Sequence, residues 1–323
     1  MHKFQDRIGT EKNITPLLEG VCSDYGFGNY DDHEVVPVGY EDFNVIVSTG
    51  SSKYFLKLFA TFRDDSACQA YVDIMYKAVE VGVHHPKLYK NPEGYLYKKK
   101  LGDTELRLCA MEYIDGKSLY DTNSKVTEEE ARFLVRQAAL INRMQIEPRN
   151  VDDSWAIVHF LEEYKKNAKY LAPDDNVLIK PLAEKFQKLD VGKLPHCLVH
   201  GDIIKTNVMK DTSGDLRIID FSVADLYPRI QELAVLLCNI LFDEGNPESF
   251  SESYRIAIDE YQKHIKLSTE ELKAIPLFVK VAHAMHVICA TKEKETKGND
   301  SKENRYWISL GQKGLSATKN WNG

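Results

Sequence analysis

The sequence predicts an α+β fold in two lobes, a small antiparallel β-rich lobe over residues 1–113 and a larger helical lobe over 114–323. Three observations carry that prediction. Short runs rich in β-branched and aromatic residues, separated by turn residues, fill most of the first hundred or so positions. Beyond about residue 116 the apolar spacing becomes helical. Ile114-Asp115-Gly116 breaks the chain between the two regimes. At ~150 residues per domain, a chain of 323 suits such a division.

In the first region, Glu34 to Gly39, Asn44 to Ser48 and Lys53 to Phe59 read as strands, with Thr49-Gly50-Ser51-Ser52 turning between the last two. In the third, Tyr54, Leu56 and Leu58 alternate with Phe55, Lys57 and Phe59, so Lys57 shares a strand face with two aromatic residues. Asp64 to Val81 has helical spacing and stops at Gly82, with Pro86 beyond. Gly94 to Tyr97 and Glu105 to Tyr113 complete the strands, so this lobe reads as strands around one helix.

In the second region, Thr127-Glu128-Glu129-Glu130 is a capping box opening a helix to about Gln145. Asp152 and Ser154 can cap another that reaches about Leu171. Cys197 to His200 is a short strand, and Val208-Met209 with Leu216 to Ile219 forms a hairpin around Ser213-Gly214. Helices are expected over about 230–243, 249–265, 269–291 and 302–313, with Ser268 capping the third. The charged stretch from Lys292 to Asn304 reads as an exposed loop. A cleft between the lobes is the expected ligand site.

Composition narrows the function. Hydrophobic residues at 43% and charged residues at 28% exclude a disordered chain. A net charge of −7 argues against duplex nucleic acid or an anionic membrane as partner. The six cysteines are scattered without a C-x-x-C pair, and the longest near-apolar run, Leu233 to Phe242, is about half a membrane span. The N-terminus lacks the apolar core of a signal peptide. These features lead us to expect a soluble, cytoplasmic protein with no membrane or nucleic-acid partner; the oligomeric state is left open.

The chemistry concentrates in Leu198 to Met209 and Leu216 to Phe221. Asp202, Asn207 and Asp220 lie at or beside the ends of apolar strands, where carboxylates are costly unless paired or bound to a cation. Strand pairing in the hairpin can bring Asn207 and Asp220 together, and an amide oxygen plus a carboxylate is hard-oxygen ligation suited to Mg²⁺ with nucleotide phosphates. Asp202 then stands where an incoming hydroxyl must lose its proton.

His200-Gly201-Asp202 with Asn207, and Asp220-Phe221-Ser222, resemble the catalytic loop and metal-binding segment of the kinase-like phosphotransferase superfamily, which includes aminoglycoside phosphotransferases, choline kinases and homoserine kinases. The order of elements agrees from Glu34 to about Leu315. The resemblance implies a two-lobed protein kinase-like fold, with residues 1–113 as the nucleotide-binding lobe and 114–323 carrying the catalytic loop and acceptor site. It implies ATP and Mg²⁺ as cofactors, Asp202 as catalytic residue, Asn207 and Asp220 as metal ligands and His200 as structural support. Lys57 stands where the family's phosphate-binding lysine belongs, and Asp73 is the candidate for its helix acid, with Asp65 and Glu80 as alternatives. Gly39, in Val38 to Asn44, would lie in the phosphate-covering loop, although a hairpin turn looks the same. Met111-Glu112-Tyr113-Ile114 is the expected hinge, with the backbone of Glu112 and Ile114 serving adenine.

Roughly ten residues separate Asp220 from the next helix, too few for the peptide-docking segment of a protein kinase, so the acceptor is expected to be a small hydroxylated molecule. The C-terminal run, including Tyr261-Gln262 and Ile275-Pro276-Leu277-Phe278, looks most like homoserine-kinase-type members, and choline or an amino sugar stays open. The alternative from another class is a nucleotide-binding regulator without catalysis. His283, His286 and Cys289 recur at helical spacing, with core or pocket lining favoured over a metal face. Tyr306 and Trp307 can stack on a substrate or an amine, with core packing the commoner role.

Overall fold

In the computed structural model, which describes residues 6–10, 12–36, 42–146 and 151–323, the chain divides into two units. One comprises residues 1–116 with 211–219, the other 117–210 with 220–323. The division runs through the hairpin around Ser213-Gly214, which gives its tip and second strand to the first unit.

The first unit is built on a six-stranded antiparallel sheet. Its strands are β1 (Asp32–Val36), β2 (Phe43–Thr49), β3 (Ser52–Leu58), β4 (Leu88–Tyr89), β5 (Tyr97–Leu101) and β6 (Thr104–Glu112). The order is β1-β2-β3-β6-β4, with β5 pairing the first half of β6. In β2, Phe43, Val45 and Val47 are buried at alternate positions, as a half-covered sheet requires. They join Leu56, Leu58, Leu106 and Leu108 in one core with Leu17, Leu18 and Val21.

Those last three belong to α1 (Thr15–Tyr25), a helix the strand-rich reading of the region missed. Its signals are Pro16 in the first turn and Gly26 in the left-handed conformation just past the end. The second helix of the unit, α2 (Asp65–Glu80), is capped by Asp64 and buries Cys68, Tyr71, Val72, Met75 and Ala78.

The second unit is mainly helical. After β7 (Gly116–Ser118) come α3 (Leu119–Thr122), α4 (Glu128–Asn142), α5 (Phe160–Asn167) and α6 (Pro173–Phe186). The Thr127 capping box forms as expected, whereas α6 had no counterpart in the sequence reading. Next are β8 (His196–Val199), β9 (Val208–Asp211), β10 (Leu216–Ile218), of the first unit, and β11 (Asp225–Pro228). β11 pairs antiparallel with β8, aligning Asp225 with Val199. Helices α7 (Ile230–Cys238), α8 (Phe250–Gln262), α9 (Thr269–Lys297) and α10 (Lys302–Thr318) finish the chain.

α9 corrects one expectation. Residues 292–297, read as loop, continue the helix because Lys292 pairs with Glu163 at 3.0 Å and Lys297 with Glu293 at 2.9 Å; Gly298 then ends it. The helix is long and apolar enough to cross a membrane, yet 89% of its apolar window is buried within the protein, as befits a core helix. Gly311 and Gly314 let α10 approach it closely, since a Cβ at Gly314 would fall 2.1 Å from the His283 ring.

Candidate active site

In the second unit, β8 delivers the chain into the turn His200-Gly201-Asp202. Gly201 has φ of 79°, a conformation that glycine adopts without strain. The turn is clasped by Glu232 of α7, whose carboxylate accepts the N–H of His200 at 2.6 Å and of Gly201 at 3.3 Å. Asn142 donates to Leu198 O at 2.8 Å and to Glu232 at 3.5 Å, and receives the Tyr261 hydroxyl at 2.7 Å. Burial pushes the Glu232 carboxyl up to about 7 against the pull of these donors. His200, fully buried, accepts the Asp202 N–H at Nδ1 and lies against Phe221, the rings tilted by 51° with centroids 4.4 Å apart.

Asp202 is gripped by Asn207, which donates its side-chain N–H to Asp202 Oδ2 at 2.6 Å and to Asp202 O at 3.1 Å. Desolvation, then the charges of Asp153 and Asp220, push the Asp202 carboxyl up to about 8. Asp220 has φ of 68°, a left-handed conformation that is rare outside glycine, and its Oδ1 accepts the Ser222 N–H at 3.1 Å. The structure therefore brings Asp202, Asn207 and Asp220 together.

These residues fit a hard divalent cation. Both Asn207 bonds use its amide nitrogen, so no donor among the described residues takes its amide oxygen. That oxygen and the Asp220 carboxylate are the ligand types Mg²⁺ takes, and the clustering of Asp202 with Asp220 leaves negative charge for a cation to neutralise.

In the first unit, Lys57 lies opposite Asn44 and Cys109 in the sheet and is only 5% exposed. Its ammonium is 3.5 Å from Asp42 Oδ2 and 5.3 Å from the centre of the Tyr71 ring. Asp42 also accepts Arg63 Nε at 3.2 Å and the Ala60 N–H at 3.0 Å. Asp73 is not brought to Lys57. It sits on the exposed face of α2 and accepts Gln69 Nε2 at 2.8 Å, while the buried face carries Cys68, Tyr71 and Val72. Asp65 and Glu80 are turned to other partners, Asp65 to Lys98 and Arg107, and Glu80 to Lys77 at 2.6 Å. Asp42, an acid beside Lys57, thus comes from the approach to β2, and the sequence reading did not consider it for that role.

Gly39 lies outside the described residues. Glu112 ends β6 with its N–H bonded to Lys87 O at 2.8 Å, so that N–H is already used. Ile114 follows in the extended link, half buried, and with Glu112, Tyr113 and Arg217 it lines a cavity of about 130 Å³.

A group the sequence reading only partly saw is tied to the Asp202 loop through Lys205 and Glu303. Tyr120, Tyr306 and Trp307 form an aromatic cluster, with Tyr120 and Tyr306 centroids 5.2 Å apart and Tyr306 and Trp307 4.9 Å apart. Trp307 Nε1 donates to Glu303 at 3.3 Å, and the Glu303 charge reaches Asp202. Lys205 donates to the Tyr306 hydroxyl at 3.2 Å. The available signals were the helical spacing of Glu303, Tyr306 and Trp307, and a lysine inside the Asp202–Asn207 loop. The ligand atoms of His283 and His286 converge with that of Cys238 rather than Cys289, whose thiol points to Ser154 O at 3.5 Å. Burial holds both imidazoles neutral, pulled down to about 3 and about 4.

Comparison with known proteins follows the same outline. The family profile described as "Phosphotransferase enzyme family" matches residues 32–264. A homoserine kinase from Methylobacillus glycogenes is 22% identical over 260 residues, covering 80% of this chain and 79% of that protein. Among solved structures, the amicoumacin kinase hAmiN, in complex with AMP-PNP, Ca²⁺ and Ami, superposes with a TM-score of 0.68 at 17% identity, over 99% of this chain and 97% of that one. A microcompartment-associated aminopropanol kinase gives 0.68 at 15% identity, over 95% and 97%. The choline kinase LicA from Streptococcus pneumoniae gives 0.57 at 13% identity, over 95% and 100%.

Proposed function

The chain belongs to the phosphotransferase enzyme family, and on that premise we propose that it moves the γ-phosphoryl group of Mg-ATP to a hydroxyl of a small metabolite, in the manner of a homoserine or choline kinase. The observation that carries the reading is Asp202: a carboxylate that Asn207 orients through a 2.6 Å hydrogen bond, clustered with Asp220.

In the proposed reaction the acceptor oxygen attacks the γ-phosphorus in line. Its proton passes to the Asp202 carboxylate as the bond forms, and the bond from phosphorus to the bridging oxygen breaks, its electron pair leaving with ADP. Asn207 keeps Asp202 in one orientation, and Glu232 holds the loop that carries both. Lys57 is assigned to the donor phosphates. Mg²⁺, when held by Asn207 and Asp220, supplies neutralisation of phosphate charge.

The test is acceptor-dependent ADP release by purified protein with Mg-ATP and a panel of amino alcohols, hydroxy amino acids, amino sugars and aminoglycosides. One acceptor class raising turnover far above background is the expected result. Nucleotide binding without stimulation by any class would favour the regulator reading instead.

A further inference from the structure

Two opposite charges near Asp202 each make no ion pair among the described residues. Lys205 follows Asp202 by three residues in the same loop. Its backbone is fixed at both ends, the N–H donating to Asn239 Oδ1 at 3.0 Å and the carbonyl accepting the Tyr120 N–H at 3.0 Å. Its ammonium donates to the Tyr306 hydroxyl and makes no ion pair with any carboxylate among the described residues. The acids whose field it feels most, Glu244 and Asp243, are engaged by Lys313 at 2.9 Å and Lys125 at 2.7 Å.

Glu303, in the first turn of α10, is the converse. It accepts only the weakly polar Trp307 N–H at 3.3 Å, makes no ion pair among the described residues, and is pushed up by burial. Between the two charges stand the rings of Tyr306 and Trp307. A partly buried charge without an ion pair costs free energy, and here one charge of each sign makes none among the described residues, with the Tyr306 hydroxyl shared between Lys205 and Glu244.

We propose that the acceptor is a zwitterion, a hydroxylated amino acid whose carboxylate pairs with Lys205 and whose ammonium is held by Glu303 and the face of Trp307. This rests on the phosphotransfer reading above and narrows its acceptor. An ammonium between a carboxylate and an indole gains both an ion pair and a cation–π contact. A purely cationic acceptor satisfies Glu303 and is repelled by Lys205.

The experiment compares L-homoserine with 3-aminopropan-1-ol, the same molecule without its carboxylate, under saturating Mg-ATP. Serine, threonine and choline extend each class. The wild type should favour the zwitterion by about tenfold or more in kcat/KM, and Lys205→Met should bring that ratio close to one through KM. Lys205→Arg should restore part of the preference, and thermal melts report folding of each variant. Equal losses on both acceptors with a raised KM for ATP would assign Lys205 to the donor phosphate and overturn the proposal while leaving phosphotransfer intact. Preference for the cationic acceptors would also overturn it. Should no acceptor stimulate turnover, the phosphotransfer reading fails, and calorimetry with L-2-aminobutyrate decides the subsite: binding that Lys205→Met abolishes supports it, and no binding refutes it.

Discussion

Lys57 and Lys205 are both withdrawn from water, yet their surroundings differ in kind. Lys57 stands beside an acid of its own unit, Asp42, which also gathers Arg63 and the Ala60 N–H. Lys205 has a phenol for a hydrogen-bond partner and makes no ion pair among the described residues, although Glu244 and Asp243 lie near enough to act on its charge. A lysine already neutralised is held in place before anything binds, and its task is to keep a geometry. A lysine left with a neutral partner is a place where ligand charge is rewarded. The first arrangement fits a donor site common to many acceptors, and the second fits the part of the pocket that tells acceptors apart.

Four substitutions break or sharpen that contrast. The largest effect is expected from Lys57→Met. If Lys57 serves the phosphates, kcat/KM for ATP should fall by on the order of a hundredfold to a thousandfold, equally for every acceptor tested, in steady-state assays. An acceptor-dependent loss would erase the distinction between the two lysines. Next is Asp42→Asn, which removes the anion beside buried Lys57 and Arg63. It should lower stability by about 3 kcal/mol, read as a reduced urea midpoint.

Glu232→Gln is a smaller probe and has a defined pH signature. Burial raises the Glu232 carboxyl from its ordinary 4.5 to about 7 in the folded protein. Over that interval the folded state keeps a proton that the unfolded chain releases, so stability should fall as pH rises from about 4.5 to about 7 and then level off. Urea midpoints at about pH 5 and about pH 8 should differ less in Glu232→Gln than in the wild type. The smallest effect is expected from Asp73→Asn: with Asp73 exposed and bonded to Gln69, turnover should stay within about twofold of wild type. A large loss would mean that the helix acid acts in a conformation other than this one.

Much of this was legible in the sequence because it depends on short-range pattern. Thr127 and Ser268 announce their helices through capping boxes that form as expected. The Asp202–Asn207 bond joins residues five apart in one loop. What escaped depends on which way a side chain turns once the units fold. Asp73 had a plausible position, but the helical period sends it to solvent, one residue away from buried Val72. Asp42 reaches Lys57 across the sheet from a residue that reads as part of a turn. Glu303 lies about a hundred residues from Asp202, and its proximity comes from the packing of α10 on α9, where Gly311 and Gly314 permit a contact that no local pattern encodes. α1 was lost among strands, although Pro16 and Gly26 mark both its ends.

The most direct test of the central claim separates Asp202's place in the chemistry from any part in binding nucleotide. Asp202→Asn keeps the shape and the Asn207 neighbour but cannot take a proton. With an acceptor that the wild type phosphorylates, kcat should fall at least about a thousandfold while ATP affinity, measured by calorimetry, stays within a few-fold. Turnover that survives the substitution, or ATP binding that disappears with it, would contradict the role given to Asp202.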